Sequence, residues 1–137
     1  GYASEGQYAL EVLTAFPAGR WAGAYVEREP EVTDWTPFGR FAADVYLPAG
    51  APDSLRARLI LTVGHDWRWT EMSRAVRLTP GAWTTLTAQL VPGTDDWKAV
   101  PDDRFRADGR KIGIRIESDG AAAYRGSVFI DGVRVAD

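Results

Sequence analysis

The stretch "LRARLILTV", Leu55 to Val63, decides the fold. Leu55, Ala57, Leu59, Leu61 and Val63 fall on every second position, and Arg56, Arg58, Ile60 and Thr62 take the positions between. Side chains of an extended chain alternate between two faces, so this is a strand with one side against a core and one side facing outward. Working outward, the same period recurs, and turn residues punctuate it every ten or so positions. Downstream, "KIGIRIE" (111–117) sets Ile112, Ile114 and Ile116 in line, and "AWTTLTAQL" (82–90) does so with Leu86, Ala88 and Leu90. Upstream, "FGRFAADVYL" (38–47) aligns Phe41, Ala43, Val45 and Leu47, then stops at "PAGAPDS".

Four further segments complete a count of eight: "QYALEVL" (7–13), with Tyr8, Leu10 and Val12 on one side; "RWAGAYVE" (20–27); "SRAVRL" (73–78); and "YRGSVFIDGVRV" (124–135), bent at Asp131-Gly132. A polar loop over 91–110 has room for one helical turn. One apolar and one polar face, strand after strand, predicts two antiparallel sheets packed face to face. Eight strands in two Greek keys make a jelly roll. In that arrangement the second, seventh, fourth and fifth strands lie side by side, here 20–27, 111–117, 55–63 and 73–78.

Composition narrows the class. A chain of 137 residues is one domain of ordinary size, and with no cysteine it has no disulfide framework. A net charge of −3 argues against nucleic acid as a partner, and no apolar run is long enough to span a bilayer. The opening "GYASEGQYALEV" carries no starting methionine or leader and is read as the start of a module from a longer secreted protein. Six Trp, five Tyr and five Phe exceed what a core of this size needs, so some rings are available for display.

Their positions suggest where. In 20–27, Ala22, Ala24 and Val26 take the apolar side, which leaves Trp21, Tyr25 and Glu27 outward. Beside them, 111–117 turns Arg115 and Glu117 outward, and 55–63 contributes Arg58. "GHDWRWTE" (64–71) begins where 55–63 ends, which sets Trp67 and Trp69 at the rim of the same face. Rings, guanidinium groups and carboxylates together suit a saccharide: flat rings cover its C–H faces, and charged groups bind its hydroxyls.

Competing readings stand beside this one. Arg58 and Arg115 also fit a cross-strand charge ladder with Glu27 and Glu117. Of Trp67 and Trp69, one or both contact ligand, or cover the edge of the core. Trp83 reads as a core or corner tryptophan and Trp35 as a packing residue before a turn. Trp97 is left open, either capping the sandwich or touching ligand. The single histidine, His65, reads as a loop residue. Glu27 and Glu117 fall on adjacent strands, but catalysis is not expected, because no ordered carboxylate motif, nucleophile elbow, zinc-binding His pair or phosphate loop occurs. A structural sandwich bracing a catalytic domain, and a protein-binding adhesion module, remain as alternatives.

Taken together, "SEGQYALEV", "DWTPFGRFAADVYLPAG", "LTPGAWTTLTAQL" and "KIGIRIESDGAAAYRGSVFIDGVRV" resemble the β-jelly-roll carbohydrate-binding modules appended to polysaccharide-degrading enzymes. The resemblance covers nearly the whole chain and rests on the order and spacing of the pieces. It implies a non-catalytic, extracellular module, joined to a catalytic domain in the same chain, that holds the enzyme on a β-glycan of mannan, glucan or xylan type. It also implies a structural calcium ion, with Asp131 as ligand and Glu5 or Glu11 as helpers, although calcium favours six to eight oxygens. The family's usual first strand, which carries a Phe-Glu pair and a Trp, has no counterpart here.

Overall fold

The computed structural model describes residues 9–99 and 103–137. Nine strands and one short helix are found among them: β1 (Leu10–Phe16), β2 (Ala22–Arg28), β3 (Arg40–Leu47), β4 (Arg56–Val63), β5 (Arg68–Glu71), β6 (Val76–Arg77), β7 (Ala82–Gln89), α1 (Asp103–Ala107), β8 (Gly109–Ser118) and β9 (Tyr124–Ala136). No helix among these residues is long and apolar enough to cross a membrane.

The strands form two sheets, ordered β1-β9-β3-β7 and β2-β8-β4-β5, with β6 paired to the far end of β4. All these pairings are antiparallel. This is the jelly-roll sandwich expected from the alternation. The core is made from the inward side of each strand: Phe41, Val45 and Leu47 of β3, Leu59, Leu61 and Val63 of β4, Leu86 and Ala88 of β7, the three isoleucines of β8, and Val128 and Ile130 of β9. Ala42 and Ala43 are both buried, since the β3–β9 register slips between Ala42 and Asp44 and breaks the strict alternation.

Trp35 is the packing residue expected. It is 1 % exposed, meets Phe41 edge-on at 5.5 Å between ring centroids, and donates from Nε1 to the Val32 carbonyl. Trp97 is also buried; it donates to the Gln89 carbonyl and packs on Phe105 of α1, the helical turn expected in the loop.

Three expectations need correction. The "RWTE" segment is a strand, β5, which hairpins back on β4, while the strand expected over 73–78 shrinks to β6. Of the core and corner positions expected for Trp83, the core one does not hold. Leu86 and Ala88 point inward, so Trp83, at odd offset from them, points out of the first sheet and packs on Tyr46, its register partner, at 5.4 Å. In β1, Leu10 shares the phase of buried Val12 yet is 55 % exposed, because it stands where the sandwich opens into a cleft of about 460 Å³. Tyr8 lies outside the described residues.

Candidate functional site

The outward side of the β2-β8-β4-β5 sheet is ordered in rows by strand register. Gly23, Glu117 and Arg56 form one row, which Arg77 of β6 extends. Tyr25, Arg115 and Arg58 form the next. Glu27, Gly113, Ile60 and Glu71 make a third, and Lys111, Thr62 and Trp69 a fourth. Adjacent strands lie about 4.8 Å apart, so the rows span a shallow floor about 15 Å across.

Four aromatic side chains stand on it. Trp21 is 58 % exposed, Tyr25 43 %, Trp67 51 % and Trp69 53 %. Two glycines let ring atoms approach the sheet closely. A Cβ added at Gly113 would stand 2.5 Å from Cε2 and Oη of Tyr25, so that ring crosses β8 over Gly113. A Cβ at Gly23 would stand 2.9 Å from the Trp21 ring, which lies back along β2 with the Arg115 guanidinium 5.8 Å from its centroid. Trp67 occupies the β4–β5 turn with φ at 56°, where its N–H donates to the Gly64 carbonyl. Its ring is flanked by Arg110 and Lys111, at 5.3 and 5.9 Å from the centroid. His65 is an exposed residue of the same turn, as expected.

Beneath the rings the charges are tightly paired. Arg58 and Arg115 are direct register partners, and like charges so placed repel. Two carboxylates bridge them. Glu117 Oε2 lies 2.9 Å from Nε of both arginines, while Glu71 accepts from Arg115 at 2.7 Å and meets Arg58 at 3.5 Å. The Arg58 Nε–Glu117 contact has ion-pair distance, but its N–H makes no hydrogen bond; its contribution is Coulombic. Arg58 also donates to the Met72 carbonyl, and Lys98 donates to Glu71. Burial would raise the Glu71 carboxyl, but hydrogen bonds from Lys98 and Arg115 outweigh it and hold the group below the usual carboxylate range. For Arg115 burial opposes the charge, and the bonds to Glu117 and Glu71 prevail, so its affinity for the proton rises.

Glu27 does not join the arginines, as a charge ladder would have it. It accepts from the Tyr25 hydroxyl at 2.7 Å and from Lys111 at 3.0 Å, and these bonds lower its carboxyl. Burial and the bond to Glu27 push the Tyr25 hydroxyl up to about 12; the Trp69 indole, facing the same hydroxyl, pulls the other way. Hydrogen bonds thus hold the carboxyls of both Glu27 and Glu71 below the usual carboxylate range.

All eight residues expected at the site lie on or at the rim of this floor, though Arg58, Arg115 and Glu117 are committed to one another. Sequence reasoning missed Glu71, 4 % exposed, and Lys98. Glu71 stands two residues after Trp69, and alternation would have placed both on one face had "RWTE" been read as a strand. Lys98 gives no such signal; it arrives with the loop that bridges Met72 to Trp97.

Asp131 lies away from this face, beside the cleft that Leu10 lines. Its Oδ1 accepts from the Gly132 N–H, and Glu11 is engaged by Ser127. Among the described residues no group of three or more metal-ligating side chains comes together, and Glu5 lies outside them. Asp131 and Glu11 alone do not supply the six to eight oxygens that calcium favours.

No protein-family model and no curated protein sequence matches the chain. Solved structures do match its fold. One is a carbohydrate-binding module specific for non-crystalline cellulose, CBM28, with a TM-score of 0.63 and 14 % identity over 98 % of this chain and 79 % of that one. A second is Caldicellulosiruptor saccharolyticus CBM27-1 in complex with mannohexaose, with a TM-score of 0.61 and 16 % identity over 94 % of this chain and 74 % of that one. A third is the agarase AgWH50C, with a TM-score of 0.60 and 16 % identity over 94 % of this chain; the match spans 20 % of the agarase. At such identities the likeness is one of architecture, and the fold is the β-sandwich of carbohydrate-binding modules.

Proposed function

We propose that this domain is a non-catalytic polysaccharide-binding module, and that the β2-β8-β4-β5 face is where the glycan lies. The observation that carries the reading is the exposure of Trp21, Tyr25, Trp67 and Trp69 together on one open sheet face. An isolated exposed ring needs no explanation; four on one face, two of them close over glycines, form a surface that favours a ligand with an apolar face. A pyranose offers such a face, ringed by hydroxyls that the charged groups between the rings are placed to bind. Of the glucan, mannan and xylan types expected, the neighbours named for cellulose and for mannohexaose support the first two. The match to a fifth of an agarase supports a role as an accessory domain, extracellular and joined to a glycan-active enzyme.

The expected affinity is modest. One stacked ring removes about 100 Å² of apolar surface, about 2.5 kcal/mol at 25 cal/mol per Å². Two or three stacks, with hydrogen bonds, offset an association cost of about 4–15 kcal/mol and leave roughly micromolar to millimolar binding.

Affinity electrophoresis through gels containing glucomannan, mixed-linkage β-glucan, xylan or agarose tests the proposal. Retention by at least one, reduced by Trp21→Ala with the melting temperature little changed, is the expected result. Free migration through all of them would leave a bracing or adhesion role as the better account.

A further inference from the structure

Resting on that reading of the face, we infer that the glycan carries uronate carboxylates, and that Arg56 and Arg77 receive them beside the aromatic groove. The two arginines are direct register partners across β4 and β6, and both are exposed. Ala57 and Leu78, their neighbours in sequence, are buried in the core, so Arg56 and Arg77 point out of the same sheet as the rings. Like charges directly opposite each other destabilise a strand pair. Elsewhere on this face the chain cancels that repulsion: Arg58 and Arg115 are also register partners, and Glu71 and Glu117 bridge them. Arg56 and Arg77 have no such bridge; neither makes an ion pair or side-chain hydrogen bond with any described residue. Glu117 is next to Arg56 in register, yet its carboxylate is turned to Arg58 and Arg115 and already shared between them.

The wider charge balance agrees. The chain as a whole is acidic, at −3. This face is the reverse, with six cations (Arg56, Arg58, Arg77, Lys98, Lys111 and Arg115) against Glu27, Glu71 and Glu117. Two of the three surplus charges belong to the unbridged pair. A guanidinium fork matches a carboxylate in two parallel hydrogen bonds, and two adjacent forks form a receptor for one or two such groups. The pair lies across the sheet from Gly23 and the Trp21 ring, two to three strand spacings away, to the side of the line from Trp21 through Tyr25 to Trp69. A group bound there belongs to a substituent or to the edge of the sugar ring, while the rings hold its faces.

The experiment compares glucuronoxylan with the same polymer after carboxyl reduction, with carrageenan as a sulfated arm and DNA as a polyanion without sugar faces of this kind. Wild type, Arg56→Gln/Arg77→Gln and Trp21→Ala are run by affinity electrophoresis at two salt concentrations. The expected result is about tenfold or greater preference of the wild type for the carboxylated polymer, weakened by salt. The double variant is expected to lose that preference while keeping its binding to the reduced polymer, with an unchanged or slightly higher melting temperature. A wild type that binds both xylans equally, or a double variant that keeps the preference, would overturn the inference and leave the glycan-binding reading intact. Stronger retention by carrageenan, or equal loss of DNA and glucuronoxylan in the double variant, would also overturn it. Binding to no polysaccharide at all would remove both readings together.

Discussion

Replacing Gly113 with alanine separates a binding platform from a structural one. Gly113 is on the outward side of β8, between the inward Ile112 and Ile114, so a methyl there leaves the core untouched. It arrives 2.5 Å from Cε2 and Oη of Tyr25 and 2.8 Å from Cζ, closer than non-bonded carbon can sit. Tyr25 is 43 % exposed, so its ring yields by swinging off the sheet. That breaks the 2.7 Å bond to Glu27, which keeps Lys111. The strand gains a β-carbon and loses an exposed hydrogen bond, so net stability changes by no more than about 1 kcal/mol. The loss in binding is larger. Forfeiting one stack of about 100 Å² costs up to about 2.5 kcal/mol, or roughly 60-fold in Kd. Titration calorimetry with the best-retained glycan, run beside thermal unfolding, reads both quantities. A double-mutant cycle closes the argument: in a Tyr25→Ala background, Gly113→Ala is expected to add little, since the ring it displaces is gone. If Gly113→Ala binds as the wild type does, or if its effect adds fully to that of Tyr25→Ala, the ring is not the platform described here.

Three further outcomes are expected. Gly109→Ala, on the same strand, places its methyl 2.1 Å from the ring of buried Trp35, which has nowhere to swing; unfolding in denaturant is expected to show a loss of about 2 kcal/mol or more, from overpacking alone. Glu71→Gln removes the carboxylate shared by Arg58, Arg115 and Lys98, at a cost of about 3 kcal/mol near neutral pH. Because the folded Glu71 carboxyl is held below its unfolded value, its contribution is complete above about pH 5 and is lost as pH falls through the folded value. The gap between wild type and Glu71→Gln in acid-unfolding curves should therefore close toward low pH; a gap constant with pH would contradict the ion pairs. Trp67→Asn relieves the left-handed backbone at φ 56°, a strain of about 1–2 kcal/mol for an ordinary side chain, so the melting temperature should hold or rise while glycan retention falls.

Much of this molecule is legible in period-two alternation, because burial on one face is a strong signal that survives without any knowledge of partners. It gives the phase of β3, β4, β7 and β8, and through β2 it predicts that Trp21 and Tyr25 are displayed. Trp83 shows the same signal being overruled by composition: Leu86 and Ala88 put it outside, but a large ring between small residues invites assignment to the core. Glu71 fails for a different reason. A carboxylate beside Trp69 reads as wanting water, and its real stabilisation comes from Arg115 two strands away and Lys98 on a separate loop. Nothing local to "RWTE" reports those partners. Nor does sequence show that Glu27 prefers Lys111 and Tyr25 over the arginines, since that depends on which rotamers the rings leave open.

The paired floor bears on why this face is open at all. Buried ion pairs contribute little net stability compared with apolar residues of the same volume, so the quartet of Arg58, Glu71, Arg115 and Glu117 is poorly explained as reinforcement. An aliphatic floor would hold the sheet equally well. With four exposed rings above it, however, such a floor would make a contiguous apolar patch of the kind that draws proteins into association. Fixed charges between the rings interrupt that patch and leave polar groups at set positions. They suit a ligand that is itself apolar on its faces and polar at its edges better than a second protein surface with a dry centre. Ile60 fits the same logic: outward by register yet 1 % exposed, it is the one aliphatic side chain of the four rows, and the layer around it covers it. What remains uncovered is aromatic or charged, and on this floor the charges left unbridged are those of Arg56 and Arg77.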